Sequence, residues 1–531
     1  MTENLHDREG LEEQDGGSTE GLSRRRLLQA AAVMGGAGAL TLAPVGFAGA
    51  AEGSASRTIT GHLDTGAADF VYLPVKVPSG VRQISVEYSY DKPTVPTGVP
   101  GNSCDIGIFD EHGIDLGGRG FRGWSGGFRT SFAISRSEAT PGYLPGPVSP
   151  GTWHVVLGPY QVAPQGMNYQ VEVTLDYGAP GLAFVPDYPP HRAKGRGRTW
   201  YRGDCHLHTV YSDGKREPAD VAAGARDAKL DFIVSTDHNT SASHAVWGKY
   251  AGPDLLILTG EEITTRNGHC LALGLPAGDW VDWRYRARDH EFSSFAQQVH
   301  RAGGLVVPAH PYCPYIACSW KFGYADADAV EVWNGPWTGD DDSSVDTWDG
   351  MLVESVRTGT SWLPAMGDSD AHSPGQVIGL PQNVVLADDL TDTAVLEGLR
   401  RGTNWLAESS SVDLDFRVTA RSGSARTAGI GERLSVPADT PVDVSITVRG
   451  VPDATVRFIT DEGQMHQESL PAAGSGTVTW RTTPSLAAYV RAEIRHPLAD
   501  GTPGSGNTIE TTLPFGPMAA MTNPIFLGSG R

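Results

Sequence analysis

The chain has 531 residues and a formal net charge of −21, which argues against a nucleic-acid backbone as a standing partner. Its length is too great for one core, so roughly three to four domains are expected. A hydrophobic content of 39% with 19% charged residues excludes a disordered chain, while 66 glycines and 36 prolines favour turn-rich β modules.

Residues 1–22 are polar and acidic. They lead into Ser23-Arg24-Arg25-Arg26-Leu27-Leu28, a Gly/Ala-rich apolar stretch and Ala48-Gly49-Ala50. Consecutive arginines, a weakly apolar core and a small-residue cleavage pattern resemble a twin-arginine (Tat) export signal over residues 1–50. A secreted, extracytoplasmic protein is expected. No later run reaches about 18 apolar residues, so no transmembrane segment is expected in the mature chain.

Residues 57–178 read as an all-β domain, with short alternating runs at 70–77, 83–90, 105–109, 131–134, 153–157 and 169–175. The turn Pro150-Gly151-Thr152-Trp153 resembles secreted pre-peptidase β-sandwich modules. The glycines of 117–127 read as a long loop. Residues 179–199 are rich in Pro, Gly and Arg and read as a linker.

Residues 200–409 change character. Strand-like runs (200–205, 232–235, 255–259, 270–273, 305–308, 329–332, 362–366) alternate with helix-like segments (218–229, 292–302, 344–358, 393–401). That alternation predicts a parallel α/β architecture, and seven strands suggest a closed or nearly closed barrel. Active residues of such barrels sit at the C-terminal strand ends. Here those ends carry His206 and His208, then Asp213 in a Ser-Asp-Gly turn, then Asp237-His238, Glu261-Glu262, His310, Asn334 and Asp368-Ser369-Asp370-Ala371-His372, while His269 precedes the fourth strand. Imidazole with carboxylate on one rim suits Zn, Mn or Fe.

This set, His-x-His, Ser-Asp-Gly, Thr-Asp-His-Asn, Gly-x-Glu, Gly-His, His-Pro and Gly-Asp-Ser-Asp-Ala-His, resembles the PHP (polymerase and histidinol phosphatase) superfamily. Within it, the CehA/McbA-like metallohydrolases, which include carbaryl-hydrolysing enzymes, are the similar branch. The similarity extends to Thr522-Asn523-Pro524-Ile525 near the C-terminus. It implies a distorted (β/α)7 barrel with two or three divalent metal ions, flanked here by the all-β sandwich domains that the strand patterns on either side predict. One ion would take His206, His208, Glu262 and Asp370. A second would share Glu262 and take His269 and His310. A third would take Asp213, His238 and His372; Asp213 stands where many of the superfamily's phosphatases carry a histidine. Glu262, Asp370 and His238 are the residues on which catalysis is expected to turn. Glu261 is an alternative to Glu262. Asp237 and Asp368 read as groups that orient ligands, with Asp237 also open as a direct ligand.

Cations sharing Glu262 would bring a bridging water to hydroxide near neutral pH and stabilise a phosphoryl or carbonyl oxygen. The expected activity is a metal-dependent phosphoesterase acting on a small-molecule or cell-envelope ester. A carbamate, carboxylic ester or amide hydrolase and a non-enzymatic surface-binding module are the alternatives. Asn334, Arg266 and Tyr312 are candidate substrate contacts, and Lys215 is a further cation beside the ligands. The mixed-charge aromatic run 282–291 reads as a solvated loop, with a pocket wall as the alternative. The acidic run 339–342 reads as a helix N-terminal cap. Residues 411–531 return to β character and read as an immunoglobulin-like sandwich. Of five cysteines, Cys313 and Cys318 are close enough in sequence to bridge in an oxidising compartment.

Overall fold

The structure is a computed structural model that describes residues 53–421, 426–498 and 516–529, all within the unit Pro44–Arg531. The segment 1–50, read from the sequence as an export signal, lies outside the described residues, which begin at Gly53. Among the described residues no helix is long and apolar enough to cross a membrane.

Residues 53–177 form two four-stranded antiparallel sheets. One runs Gly53–Leu63, Met167–Tyr177, Val81–Tyr90, Ser131–Ser135; the other Val71–Val77, Gly151–Gln161, Ser103–Phe109, Phe121–Ser125. Alternating residues such as Leu73, Val75, Ile84, Val86, Ile106 and Val155 fill the space between them. The glycine-rich 117–127 segment is not all loop, because Phe121–Ser125 is a strand buried along its whole length. Its glycines permit close approach: Gly123 has φ +141° and lies against Tyr143.

The second sheet is buried on both faces. Its outer residues Phe109, Phe121, Trp124 and Val156 join Ile263, Trp283, Tyr285, Phe295 and Val299 of the central unit in one apolar cluster. The run 282–291 is therefore not solvated throughout. Asp282, Trp283 and Tyr285 are buried, and Arg284 donates to Tyr72 Oη at 2.7 Å and to Ile114 O at 3.1 Å. Arg286 pairs with Asp69. Each fully buried aromatic here stabilises by about 2 kcal/mol, so the sandwich is fixed as a wall rather than tethered.

In the central unit Thr199–Asp204, Phe232–Ser235 and Leu256–Thr265 pair in parallel. Gly268–Leu273 then runs antiparallel to its neighbours Leu256–Thr265 and Leu305–Ala309. A two-residue connection cannot make a parallel crossover, so this step is a hairpin. Val330–Asn334 and Ala365–Asp368 form a separate parallel pair. Among the described residues no continuous ladder closes a (β/α)7 barrel. Instead the two ends meet near the site, where Leu207 bridges Ala371 in parallel and Cys205 N–H donates to Asp368 Oδ1 at 2.6 Å.

The helices cover this sheet for local reasons. Pro218–Asp227 opens with proline in its first turn and buries Val221, Ala222 and Ala225. Phe292–Arg301 buries Phe292, Phe295, Ala296 and Val299 at helical spacing. Gly339–Thr358 begins earlier than residue 344, because Thr338 and Asp341 form a capping box and the acidic run occupies the first turn. Thr391 caps Asp392–Arg400 by accepting from Ala394 N–H.

The segment 179–199 carries no strand until Thr199, yet it is tied down by Ala193 N–H to Leu390 O and by Lys194 N–H to Pro253 O. At the C-terminal end, Thr427–Gly429, Asp413–Ala420, Val442–Arg449 and Gly476–Thr482 make one sheet. The sheet facing it is a continuation of the central one, through Gln382–Ala387, Asn404–Ala407, Met518–Thr522, Tyr489–Arg495, Thr455–Thr460 and Gly463–Ser469.

Buried asparagines pin this junction. Asn523 accepts from Ala365 N–H at 2.8 Å and donates to Ala365 O, Asn404 O and Asn404 Oδ1. Asn404 donates to Asn383 Oδ1, and Asn383 donates to Asp368 Oδ1 at 2.8 Å. Asn523→Ala is expected to cost about 2–3 kcal/mol, because buried partners lose their hydrogen bonds. Chemical denaturation should show the loss as an earlier transition, and an unmoved midpoint would refute the pin.

Candidate metal centre

Strand alternation sets the site. Glu262 points inward from Leu256–Thr265, whereas its neighbour Glu261 points the other way and accepts from Val281 N–H at 2.9 Å. Burial pushes the Glu261 carboxyl well above the usual range, and its hydrogen bond lies outside the cluster. Glu262 is fully buried, and its two oxygens face different histidines. Oε1 lies 2.8 Å from His269 Nδ1 and 3.2 Å from His310 Nε2. Oε2 lies 3.2 Å from His206 Nε2, 3.3 Å from His208 Nε2 and 2.8 Å from His238 Nδ1. Asp370 Oδ1 approaches His206 and His208 at 3.2 and 3.0 Å. Asp213 Oδ1 lies 3.3 Å from His372 Nε2 and 3.6 Å from His238 Nε2. With a side chain 41% exposed, Asp213 marks the solvent edge of the cluster, whereas Glu262 at 0% marks its floor.

The structure thus brings together all nine residues read from the sequence as ligands. Ligand atoms fall into overlapping groups: His206, His208, Glu262 and Asp370; His238, Glu262 and His269; and His208, Asp213, His238 and His372. His310 reaches the same carboxylate.

These groups fit divalent cations. His206 Nε2, His208 Nε2, Glu262 Oε2, Asp370 Oδ1 and Asp213 Oδ1 are buried and take no hydrogen bond. Converging lone pairs without donors are costly unless something positive sits between them. Burial alone would lower the His206 pKa, but the carboxylates of Asp370, Glu331 and Glu262 outweigh it and raise it well above the usual imidazole value. Burial likewise pushes Glu262 up, yet His238, His206 and His269 hold it well below the usual range.

Supporting groups orient the ligands. His206 Nδ1 meets Glu331 Oε1 at 2.9 Å, and Glu331 Oε2 accepts from His310 N–H at 2.8 Å. One carboxylate therefore aims two ligand histidines. Asp237 braces the ligand turn instead of joining the cluster, accepting from Thr209 N–H, Thr209 Oγ1 and Ser212 Oγ. Asp368 accepts from Cys205 N–H and Asn383. Asp370 and His310 hold left-handed φ values of +48° and +30°. Such conformations cost on the order of 1–3 kcal/mol and persist at sites that need them. Cys313 and Cys318 form a disulfide, with Cys318 Sγ 3.5 Å from His310 Nδ1.

The three residues read as substrate contacts are placed elsewhere or already engaged. Asn334 donates to Glu331 Oε2 at 3.1 Å and so steadies the group behind His206. The Tyr312 hydroxyl meets Thr347 Oγ1 and lies outside the cavity lining. Arg266 lines the cavity, but its guanidinium donates to Tyr160 O and Pro159 O at 2.9 and 2.7 Å and pairs with Asp69.

A cavity of about 750 Å³ opens onto Asp213, His238, His269 and His372. Its opposite wall comes from the N-terminal sandwich, through Asp105, Trp124, Phe128 and Tyr160. Sequence reasoning found no functional residue in that domain. It also missed Glu331, although a lone carboxylate inside the buried strand Val330–Asn334 is a readable signal.

No family model matches the chain, and no curated protein matches it. Among solved structures, it is similar to a two-domain protein from Bacteroides vulgatus containing a predicted PHP-like metal-dependent phosphoesterase, at 16% identity and a TM-score of 0.33, over 60% of this chain and 95% of that one. An amidohydrolase from Chromobacterium violaceum with bound sulfate matches at 18% identity and a TM-score of 0.25, over 33% and 89%. A protein from Bifidobacterium adolescentis, described as a metal-dependent phosphoesterase, matches at 18% identity and a TM-score of 0.24, over 40% and 96%.

Proposed function

We propose that this chain is an exported metal-dependent phosphoester hydrolase of the PHP type. One observation carries the reading: the buried Glu262 carboxylate presents each oxygen to a different set of histidines, as a ligand shared between cations would. Divalent cations held here would lower the pKa of water towards neutrality and offset negative charge on the group under attack. His206, His208, Glu262 and Asp370 would hold one, His269 and His310 with Glu262 a second, and Asp213, His238 and His372 a third. Three positive sites around one carboxylate suit a tetrahedral phosphoryl group with several charged oxygens better than a planar carbonyl. Glu331 fixes the His206 ring so that Nε2 faces the centre, and Trp124, Phe128 and Tyr160 give the cavity an aromatic wall. The Cys313–Cys318 disulfide supports the oxidising compartment that an export signal implies.

Protein loaded with Mn or Zn should hydrolyse aryl phosphate mono- or diesters, and elemental analysis should find two or three ions per chain. Turnover confined to carbamates or carboxylic esters would move the assignment to that branch, and one ion or none would end it.

A further inference from the structure

Residues that hold cations do so through nitrogen and oxygen lone pairs, so a proton for a departing oxygen is best supplied by a group outside the cluster. Ester hydrolysis with a poor leaving group needs such a donor. The wall opposite the cluster holds one.

Asp105 lies on Ser103–Phe109 between Cys104 and Ile106, both of which are buried in the sandwich core. Strand alternation therefore turns Asp105 to the other face, where it lines the cavity shared with Asp213, His238 and His372. Gly127 N–H holds its Oδ1 at 3.0 Å. Its Oδ2 takes no hydrogen bond among the described residues. The cation nearest in charge, Arg266, is engaged by Asp69, Pro159 O and Tyr160 O. A carboxyl fixed by one oxygen, with the other unbonded and the side chain lining the cavity onto which Asp213, His238 and His372 open, is the arrangement of an acid waiting for a leaving group.

We infer that Asp105, contributed by the N-terminal sandwich, protonates the leaving-group oxygen during ester hydrolysis at the metal centre. The inference rests on the phosphoester reading and adds a residue to it. Burial, only partly offset by Arg266, Gly127 N–H and His238, pushes the Asp105 carboxyl up to about 7, the direction a general acid requires. In the step, a water-derived hydroxide oxygen bonds to phosphorus and the phosphorus–oxygen bond to the alcohol breaks. The alcohol oxygen takes its proton from Asp105. The carboxylate left behind recovers a proton when the next water is deprotonated, so the net reaction is ester plus water giving alcohol plus phosphate.

The test uses the metal-loaded full chain and a series of phenyl phosphates spanning good to poor leaving groups, with ethyl phosphate at the far end. In the wild type, kcat/KM should vary less than about tenfold across the phenyl series, because protonation removes the dependence on the leaving group. Asp105→Asn should lower kcat/KM for phenyl and ethyl phosphate about 100-fold or more, yet change p-nitrophenyl phosphate less than about fivefold. Metal content should be unchanged. A steep wild-type dependence, an equal loss on every substrate, or the same selectivity produced by Lys215→Met instead would overturn the inference while leaving the phosphoester reading standing. No turnover of any phosphate by the wild type would defeat that reading and the role of Asp105 with it.

Discussion

Glu262→Gln is expected to lower phosphoester hydrolysis by on the order of 10³-fold or more, with at most one ion retained per chain. The amide keeps the side-chain volume, so packing around the fully buried position survives. What is lost is the charge that five histidines face, at 2.8–3.3 Å. The amide also turns two N–H donors on imidazole nitrogens that should accept a cation. Elemental analysis and steady-state kinetics on the same sample decide the matter. Glu261→Gln is the matched control, because Glu261 is equally buried, accepts from Val281 N–H and points away from the histidines. Full metal content and full activity in Glu262→Gln would remove the shared-ligand assignment.

The second large effect is structural. On Tyr489–Arg495, the buried Glu493 accepts from Arg491 at 2.7 Å and Arg495 at 3.1 Å, and Arg457 of the next strand reaches it at 2.7 Å. Arg491 and Arg495 continue to Asp349 and Asp342 of Gly339–Thr358, so the network locks the C-terminal sheet to a central helix. Burial pushes the Glu493 carboxyl up, but Arg491, Arg495 and Arg457 outweigh it and hold it at about 2, below its ordinary 4.5. A lowered folded-state pKa contributes stability that is present above about 4.5 and fades as pH falls towards 2. The difference corresponds to about 3 kcal/mol. Glu493→Gln should therefore destabilise by about 3–5 kcal/mol at pH 7, since it leaves buried arginines short of their counter-charge. Denaturation at pH 7 and at pH 3 should show the gap between wild type and variant narrowing in acid. A gap independent of pH would contradict the charge argument.

The residues of the candidate cluster were legible because their chemistry is local: His-x-His at a strand end projects both rings to one side whatever the rest of the chain does. The sequence reading of 232–235 matches the observed strand, and the N-terminal alternation locates most of the sandwich strands. Barrel closure is where tertiary pairing decides: Gly268–Leu273 pairs antiparallel to both neighbours, and Val330–Asn334 with Ala365–Asp368 stands as a separate pair. The Arg266-Asn267 turn had room only for a hairpin, a signal present in the sequence and not used. Phe121–Ser125 was read as loop because its glycines spoke for local freedom, while its burial comes from Trp280 and Trp283, far along the chain. Asp105 and Tyr160 were invisible for the same reason. No periodicity within 57–178 tells which outer face will close over a cavity in another domain.

Asn523 also sets a timetable. Every residue of the candidate metal cluster has been synthesised once His372 has emerged, yet the strand ends that carry them are tied through Asp368, Asn383 and Asn404 to an amide 151 residues further on. The N-terminal sandwich can fold as soon as residue 177 is made, so one wall of the pocket exists long before the other is secured. Assembly of the cluster's geometry is thereby tied to completion of the polypeptide. A chain cut short of Asn523 would keep all nine ligands in its sequence and lack the pin that holds them in register.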